Sequence, residues 1–194
     1  MGKHRNCRDR EPITAVVDIL PSPFGWIGLA VSERGVFRVT VGHASRESAL
    51  RACRSVVVWQ RQVPARVAAL AERLRRALEA YVCGEMVGFD DIPLDWSPVT
   101  PFQQRVYLHC RRVRYGATST YGEVAVALGK KGAARAVGQA LSRNPYALVV
   151  PCHRILGSNG DLTGFTAPGG LRLKERLLAF EREVAARNPY RDAH

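Results

Sequence analysis

Cys152 and His153 adjoin in Pro151-Cys152-His153-Arg154, directly after the apolar run Ala147-Leu148-Val149-Val150. A thiol beside an imidazole can act as a nucleophile. The attacking species is the thiolate, and a neighbouring His or Arg raises its fraction in a group whose ordinary pKa is about 8.5. The apolar run predicts a buried strand. Pro151 has no N–H for a sheet ladder, so it should end the strand and turn Cys152 out of the core beside the ring. An inert buried cysteine that happens to precede a histidine carries the same signature, because free cysteine is among the most buried residue types. The pair alone leaves both readings open. Cys7, Cys53, Cys83 and Cys110 fall in no motif.

The elements that must position this pair follow from patterning. Residues 13–20, 26–31 and 36–41 read as short strands separated by Pro21-Ser22-Pro23-Phe24-Gly25 and Ser32-Glu33-Arg34-Gly35, an antiparallel meander. Residues 63–83 place Val67, Leu70, Leu74 and Leu78 at helical spacing, which predicts an amphipathic helix covering the sheet. The acidic, proline-bearing stretch 90–98 reads as a linker. Beyond it, Thr100-Pro101-Phe102-Gln103 joins an N-cap, a proline at the first helical position and a capping-box glutamine, and predicts a helix to about Arg112. A second capping box, Thr120-Tyr121-Gly122-Glu123, opens a helix ending near Leu128, and Gly129-Lys130-Lys131-Gly132 turns into a helix over 133–142. Two short helices around a glycine turn predict a helix-turn-helix.

The second of these helices is nearly bare. Ala133, Ala134, Ala136, Gly138 and Ala140 give it little bulk, while Lys130, Lys131, Arg135 and Arg143 surround it. Such a helix can approach a duplex backbone closely, with the cations neutralising phosphates; equally, small residues serve tight contact between two helices. The whole chain favours the first reading. Its 29 Lys and Arg against 17 Asp and Glu give a formal charge of +12, which suits a polyanion, nucleic acid before an anionic membrane. With 194 residues and 46% hydrophobic content it can bury a core, which excludes a disordered tail. Five cysteines without framework spacing argue against a secreted disulfide scaffold and for a reducing compartment. No apolar stretch is long enough to span a bilayer, and no signal peptide is visible. The expectation is therefore a cytoplasmic, nucleoid-associated or nuclear protein without a membrane partner.

Five motifs, Thr120-Tyr121-Gly122-Glu123-Val124-Ala125, Ala133-Ala134-Arg135-Ala136-Val137-Gly138, Arg143-Asn144-Pro145, Val150-Pro151-Cys152-His153-Arg154, and Gly169-Gly170-Leu171 through Lys174 to Glu181, occur in this order. In order and spacing over residues 98–182 they resemble the O6-alkylguanine-DNA alkyltransferases (methylated-DNA-protein-cysteine S-methyltransferases). The resemblance implies an α+β fold: a small ribonuclease-H-like amino-terminal domain (antiparallel sheet with helix) and a helical carboxy-terminal domain with a winged helix-turn-helix. On that plan residues 1–11 are a basic arm, 12–90 the first domain, 91–98 a linker, 99–182 the DNA-binding and alkyl-acceptor domain, and 183–194 a tail.

The same resemblance implies the chemistry. Cys152 takes the alkyl group from O6-alkylguanine, or from O4-alkylthymine, in double-stranded DNA in one irreversible turnover without a cofactor. His153 removes the thiol proton through a water and Glu181 orients the ring. Tyr121 donates toward the departing guanine and helps turn the nucleotide out of the stack, since a sulfur fixed in a pocket cannot reach O6 inside a base pair. Arg135 replaces the extruded base, and Asn144 ties the recognition helix to the active-site segment. Ala134, Ala136, Gly138, Lys131 and Arg143 complete the DNA surface, and Val150, Pro151, Ile155, Phe165 and Thr166 line the alkyl pocket. A monomer that can bind DNA cooperatively is expected. Three departures bear on substrate range and partners. Phe165-Thr166-Ala167-Pro168-Gly169-Gly170 stands where many relatives have a tyrosine soon followed by Gly-Gly, and Ala147 stands where some have a second proline. Residues 29–37 offer no cysteine or histidine, so no metal is expected there. Two other classes of function remain: a lesion-binding module without chemistry, and a thiol acceptor acting on a small molecule.

Overall fold

The computed structural model describes residues 15–54 and 63–188. The basic arm, Ile13 at the expected start of the first strand, and residues 189–194 lie outside the described residues.

Three strands, β1 (Ala15–Leu20), β2 (Trp26–Ser32) and β3 (Gly35–His43), pair antiparallel in the order β1-β2-β3, as the turn residues between them require. Helix α1 (Arg46–Arg54) meets one face of the sheet through Cys53, which packs with Ala15 and Ala30. Helix α2 (Ala65–Val82) brings Leu74 and Leu78 into the main core with Leu29, Val31 and Val39 from the other face. The expected helix over 63–83 is thus present, and α1 is a second helix that the patterning did not announce. Its start is tied by two serines: Ser48 N–H donates to Ser45 Oγ and Ser45 N–H to Ser48 Oγ, each 3.2 Å.

Both boxes at helix starts in the second half form as their sequences dictate. Helix α3 (Pro101–Arg111) is capped reciprocally by Thr100 and Gln103, and α4 (Tyr121–Ala127) by Thr120 and Glu123. Helix α5 (Ala134–Ser142) follows the glycine turn, and Tyr107 of α3 donates to the carbonyl of Ala140 at 2.8 Å. A short parallel ladder pairs β4 (Ser119–Thr120) with β5 (Ile155–Leu156), setting the start of α4 beside the chain that leaves Cys152. Helix α6 (Gly170–Arg187) continues past residue 182 and buries Leu173, Leu177 and Val184.

The free edge of β3 joins the two halves. Val36 N–H donates to Pro93 O (2.8 Å) and Asp95 N–H to Val36 O (2.9 Å), so the segment read as a linker is an added partner of the sheet, with Ile92, Leu94 and Asp95 buried. Asp95 accepts from Ser32 Oγ at 2.6 Å, and its carbonyl accepts from the Tyr146 hydroxyl. Further along the same edge Val39 N–H donates to Pro145 O (2.8 Å) and Ala147 N–H to Val39 O (3.0 Å). An edge strand that would otherwise present unpaired groups is closed by the approach to Cys152.

Candidate active site and nucleic-acid interface

The run 147–150 is a compact turn and not the strand expected from its apolar letters. Val150 N–H returns to Tyr146 O (2.8 Å) and Val149 N–H to Ala147 O (2.9 Å), while Leu148 adopts φ 68° with its side chain buried. A non-glycine residue in that region carries a cost of about 1 kcal/mol or more and persists only where surroundings enforce it. Asn144 supplies the enforcement: its Nδ2 donates to Val150 O (2.9 Å) and its Oδ1 accepts from Tyr146 N–H (3.0 Å). The side-chain amide thereby takes the place of a strand partner. A run of four apolar residues signals burial, but it has no period to separate a strand from a buried turn.

Pro151 then leads into a 3₁₀ turn, Cys152–Arg154. Cys152 is half-buried, while His153 and Arg154 are buried. Neither His153 nor Arg154 serves the thiol in the simple way the sequence suggests, because both turn to Glu181. His153 Nε2 lies 2.8 Å from Glu181 Oε1, and Arg154 grips the same carboxylate through Nε to Oε2 (2.8 Å) and Nη2 to Oε1 (2.9 Å). Tyr81 Oη donates to Oε1 (2.8 Å) and Gly116 N–H to Oε2 (3.2 Å). Burial alone would raise the Glu181 pKa; the His153 ring and then the Arg154 guanidinium outweigh it and hold the carboxyl well below the usual carboxylate range. Arg154 is thus a buried partner of Glu181.

Burial pushes the Cys152 thiol up, and the opposing influences are the Asn144 side chain, the Lys174 ammonium and the N–H groups of Cys152 and His153. Burial thus favours the protonated thiol at rest. Lys174, which stands in the last of the five motifs without a role assigned to it, comes close to this segment. It is fully buried on α6, donates to Ile155 O (2.6 Å) and Thr163 O (2.7 Å), and lies 5.8 Å above the Tyr121 ring. Burial lowers its pKa to about 8, against the pull of Cys152. In the sequence it stands among the charges of an amphipathic helix; only the packing of α6 on residues 155–163 distinguishes it.

Two cavities flank this segment on the working side. One, of about 240 Å³, is lined by Cys152, Asn144, Phe165 and Thr166 together with Arg38 and His43 of β3. The other, of about 400 Å³, opens between Tyr121, Arg135, Gly138 and Thr163. Gly164 borders both, and Tyr121 Oη reaches Thr163 O at 3.1 Å. Of the five residues expected around the alkyl pocket, Phe165 and Thr166 line the cavity with Cys152. Pro151 faces a third cavity on the far side of the turn, and Val150 and Ile155 are core residues. Arg38 and His43 were not among the expected residues, because nothing local in β3 ties it to residue 152. On the outer face Lys130, Lys131, Arg135, Ala136 and Arg143 are exposed, Ala134 and Gly138 half-buried, and no carboxylate stands on α5. Among the described residues no helix is long and apolar enough to cross a membrane.

The family model of the 6-O-methylguanine DNA methyltransferase DNA-binding domain matches residues 101–183. A methylated-DNA-protein-cysteine methyltransferase of Methanosarcina barkeri is 40% identical over 165 residues, which cover 84% of this chain and 95% of that protein. One of Methanosarcina acetivorans is 48% identical over 107 residues, 55% of this chain, so that the match spans 65% of that relative's length. Mycobacterium tuberculosis OGT, solved in complex with DNA, is similar in fold with a TM-score of 0.67 and 34% identity, covering 87% of this chain and 93% of that one.

Proposed function

Since the chain belongs to the methylated-DNA-protein-cysteine methyltransferase family, we propose that it repairs DNA by moving an alkyl group from O6 of guanine onto Cys152, irreversibly and once per molecule. The observation that carries this reading is the thiol lining a cavity with its neighbouring imidazole held by a buried carboxylate, His153 Nε2 to Glu181 Oε1 at 2.8 Å. In the reaction the Sγ–C bond forms as the C–O6 bond breaks, and the bonding pair leaves with guanine. The thiol proton passes through a water to His153, and the leaving base is protonated as it departs. A thiol raised by burial requires such a base, and Glu181 compensates the charge that develops on the ring. Tyr121 shifts its hydroxyl from Thr163 O to the base, with Lys174 above its ring.

The cavity of about 400 Å³ beside Tyr121 and Arg135, which shares Gly164 with the cavity at Cys152, supports extrusion of the nucleotide toward the thiol, and the bare, cationic face of α5 suits a minor groove read with little sequence preference. Arg135 fills the gap left in the stack, and Lys131 and Arg143 bind phosphates. Asn144 holds the reactive turn against α5. Transfer is tested by intact-protein mass spectrometry after mixing with a duplex containing O6-methylguanine, with peptide mapping and Cys152→Ser as control. One methyl on Cys152 with equal loss of lesion is the expected result. Undiminished repair by Cys152→Ser would refute the assignment.

A further inference from the structure

The third cavity, of about 580 Å³, lies behind the reactive turn. Its lining comes from residues 86–90 after α2, residues 111–115 at the end of α3, and Leu148, Val149, Pro151 and Arg154. It therefore shares no residue with the cavities at Cys152 and Tyr121 or with α4 and α5. Four arginines stand on it, Arg111, Arg112, Arg114 and Arg154, against one acid, Asp90. Arg154 already has its counter-charge in Glu181. Arg111 is half-buried, and its Nη2 donates to two carbonyls, those of Phe89 and of Ile92 (3.2 Å for the latter), while no carboxylate among the described residues pairs with it. Burial lowers its pKa, and Asp90 and then Asp91 pull against this without direct contact. Arg112 and Arg114 are exposed, and among the described residues their guanidiniums have no partner. A cation withdrawn from water without a counter-ion is costly, so three uncompensated guanidiniums around one cavity, with a single carboxylate beside them, call for an anion of more than one charge. Met86, Val87 and Val113, all half-buried, add an apolar wall.

Beyond the alkyl-transfer reading and independent of it, we propose that this cavity is a binding site for a nucleoside polyphosphate. A guanidinium fork takes phosphoryl oxygens two at a time, and more than one phosphoryl group is needed to meet Arg111, Arg112 and Arg114 together. The volume lies within the range of small-molecule sites, about 300–1,000 Å³, and leaves room for the nucleoside against Met86, Val87 and Val113. Duplex DNA carries phosphates too, but the cationic face offered to a duplex is that of α5, and no residue of α5 lines this cavity. The occupant rests on Leu148 and Pro151, the back of the turn whose other side carries the acceptor cavity.

The test titrates the full chain, isotope-labelled, with ADP, adenosine and inorganic pyrophosphate at constant ionic strength, reading affinity and the amide shifts in one NMR experiment. ADP should bind saturably and shift Gly88, Val113, Tyr115 and Val149 while leaving 134–142 in place. Adenosine should bind about tenfold more weakly or worse, the expectation for losing one hydrogen bond between charged groups, and pyrophosphate should fall between the two. Arg111→Met should weaken ADP about tenfold for the same reason. Should that variant fail to fold, Arg112→Ala combined with Arg114→Ala, both exposed, should weaken ADP about twofold to fivefold or more, the worth of ion pairs at a surface. A duplex without lesion, added to saturation, should leave ADP bound. Shifts confined to α5, or displacement of ADP by the duplex, would assign the phosphate contacts to the DNA surface and overturn the site. Equal binding of adenosine and ADP, or of pyrophosphate and ADP, overturns the nucleoside polyphosphate as its ligand. None of these outcomes touches the transfer to Cys152, which is read by mass spectrometry on lesion-bearing DNA.

Discussion

Replacing Glu181 by glutamine tests the centre of the site. The carboxylate accepts from Tyr81, His153 and Arg154 on Oε1 and from Arg154 and Gly116 on Oε2, all inside the core. An amide has one accepting oxygen, so its NH₂ must face either Arg154 Nε and Gly116 N–H or the three groups on the other side. Arg154, 6% exposed, would lose its counter-charge. Removing one partner of a buried ion pair costs about 3–5 kcal/mol, which for a chain of this size corresponds to a fall in Tm of about 6–20 °C. Urea unfolding gives the free energy directly. The pH dependence supplies an independent check. The folded Glu181 carboxyl is held below its unfolded value of about 4.3, so its contribution is complete above that pH and is lost as pH falls toward the folded value. The unsubstituted protein should therefore lose stability below about pH 5, and Glu181→Gln should flatten that slope. Alkyl transfer should slow by about 10² to 10⁴, the range of a correctly held general base. A loss of less than about 1 kcal/mol, the level of an exposed ion pair, or an unchanged acid slope, would refute the assignment of Glu181 as the buried anchor.

Because burial raises the Cys152 thiol, its iodoacetamide reactivity should be low at neutral pH and still rising above pH 9; a plateau by pH 8 would show a thiolate already present at rest. Asn144→Ala frees Val150 O and Tyr146 N–H inside the reactive turn and should cost about 1–3 kcal/mol in urea unfolding, with transfer slowed even when the protein is folded. Arg135 and Lys131 are exposed, so their alanine variants should change stability by less than about 0.5 kcal/mol. Lys131→Ala should reduce the slope of log affinity against log salt by about one, whereas Arg135→Ala should weaken lesion binding beyond that; unchanged binding in both would remove α5 from the interface.

What could be read from the letters was local. Thr100 with Gln103 and Thr120 with Glu123 place two helix starts because a capping box is complete within four residues. The meander was legible because strand and turn chemistry alternate over short distances. Helix α1 carries no such mark, because Ser45 and Ser48 cap it without the Glu or Gln of a box, and only Ala49 and Cys53 are buried. The turn 147–150 is hidden for the opposite reason: its letters report burial, while its shape is imposed by the Asn144 amide and by β3. Lys174 and His43 belong to the same class. Each becomes distinctive only through a neighbour far away in sequence, residues 155–163 for the lysine and the cavity at Cys152 for the histidine. The pairing of Val39 with Pro145 and Ala147 is the contact behind several of these, since it fixes the hinge before the thiol and sets the β3 wall of the cavity in one step. The amino-terminal half is thus built into the reactive turn, and a change in β3 should be felt at Cys152 without passing through α5.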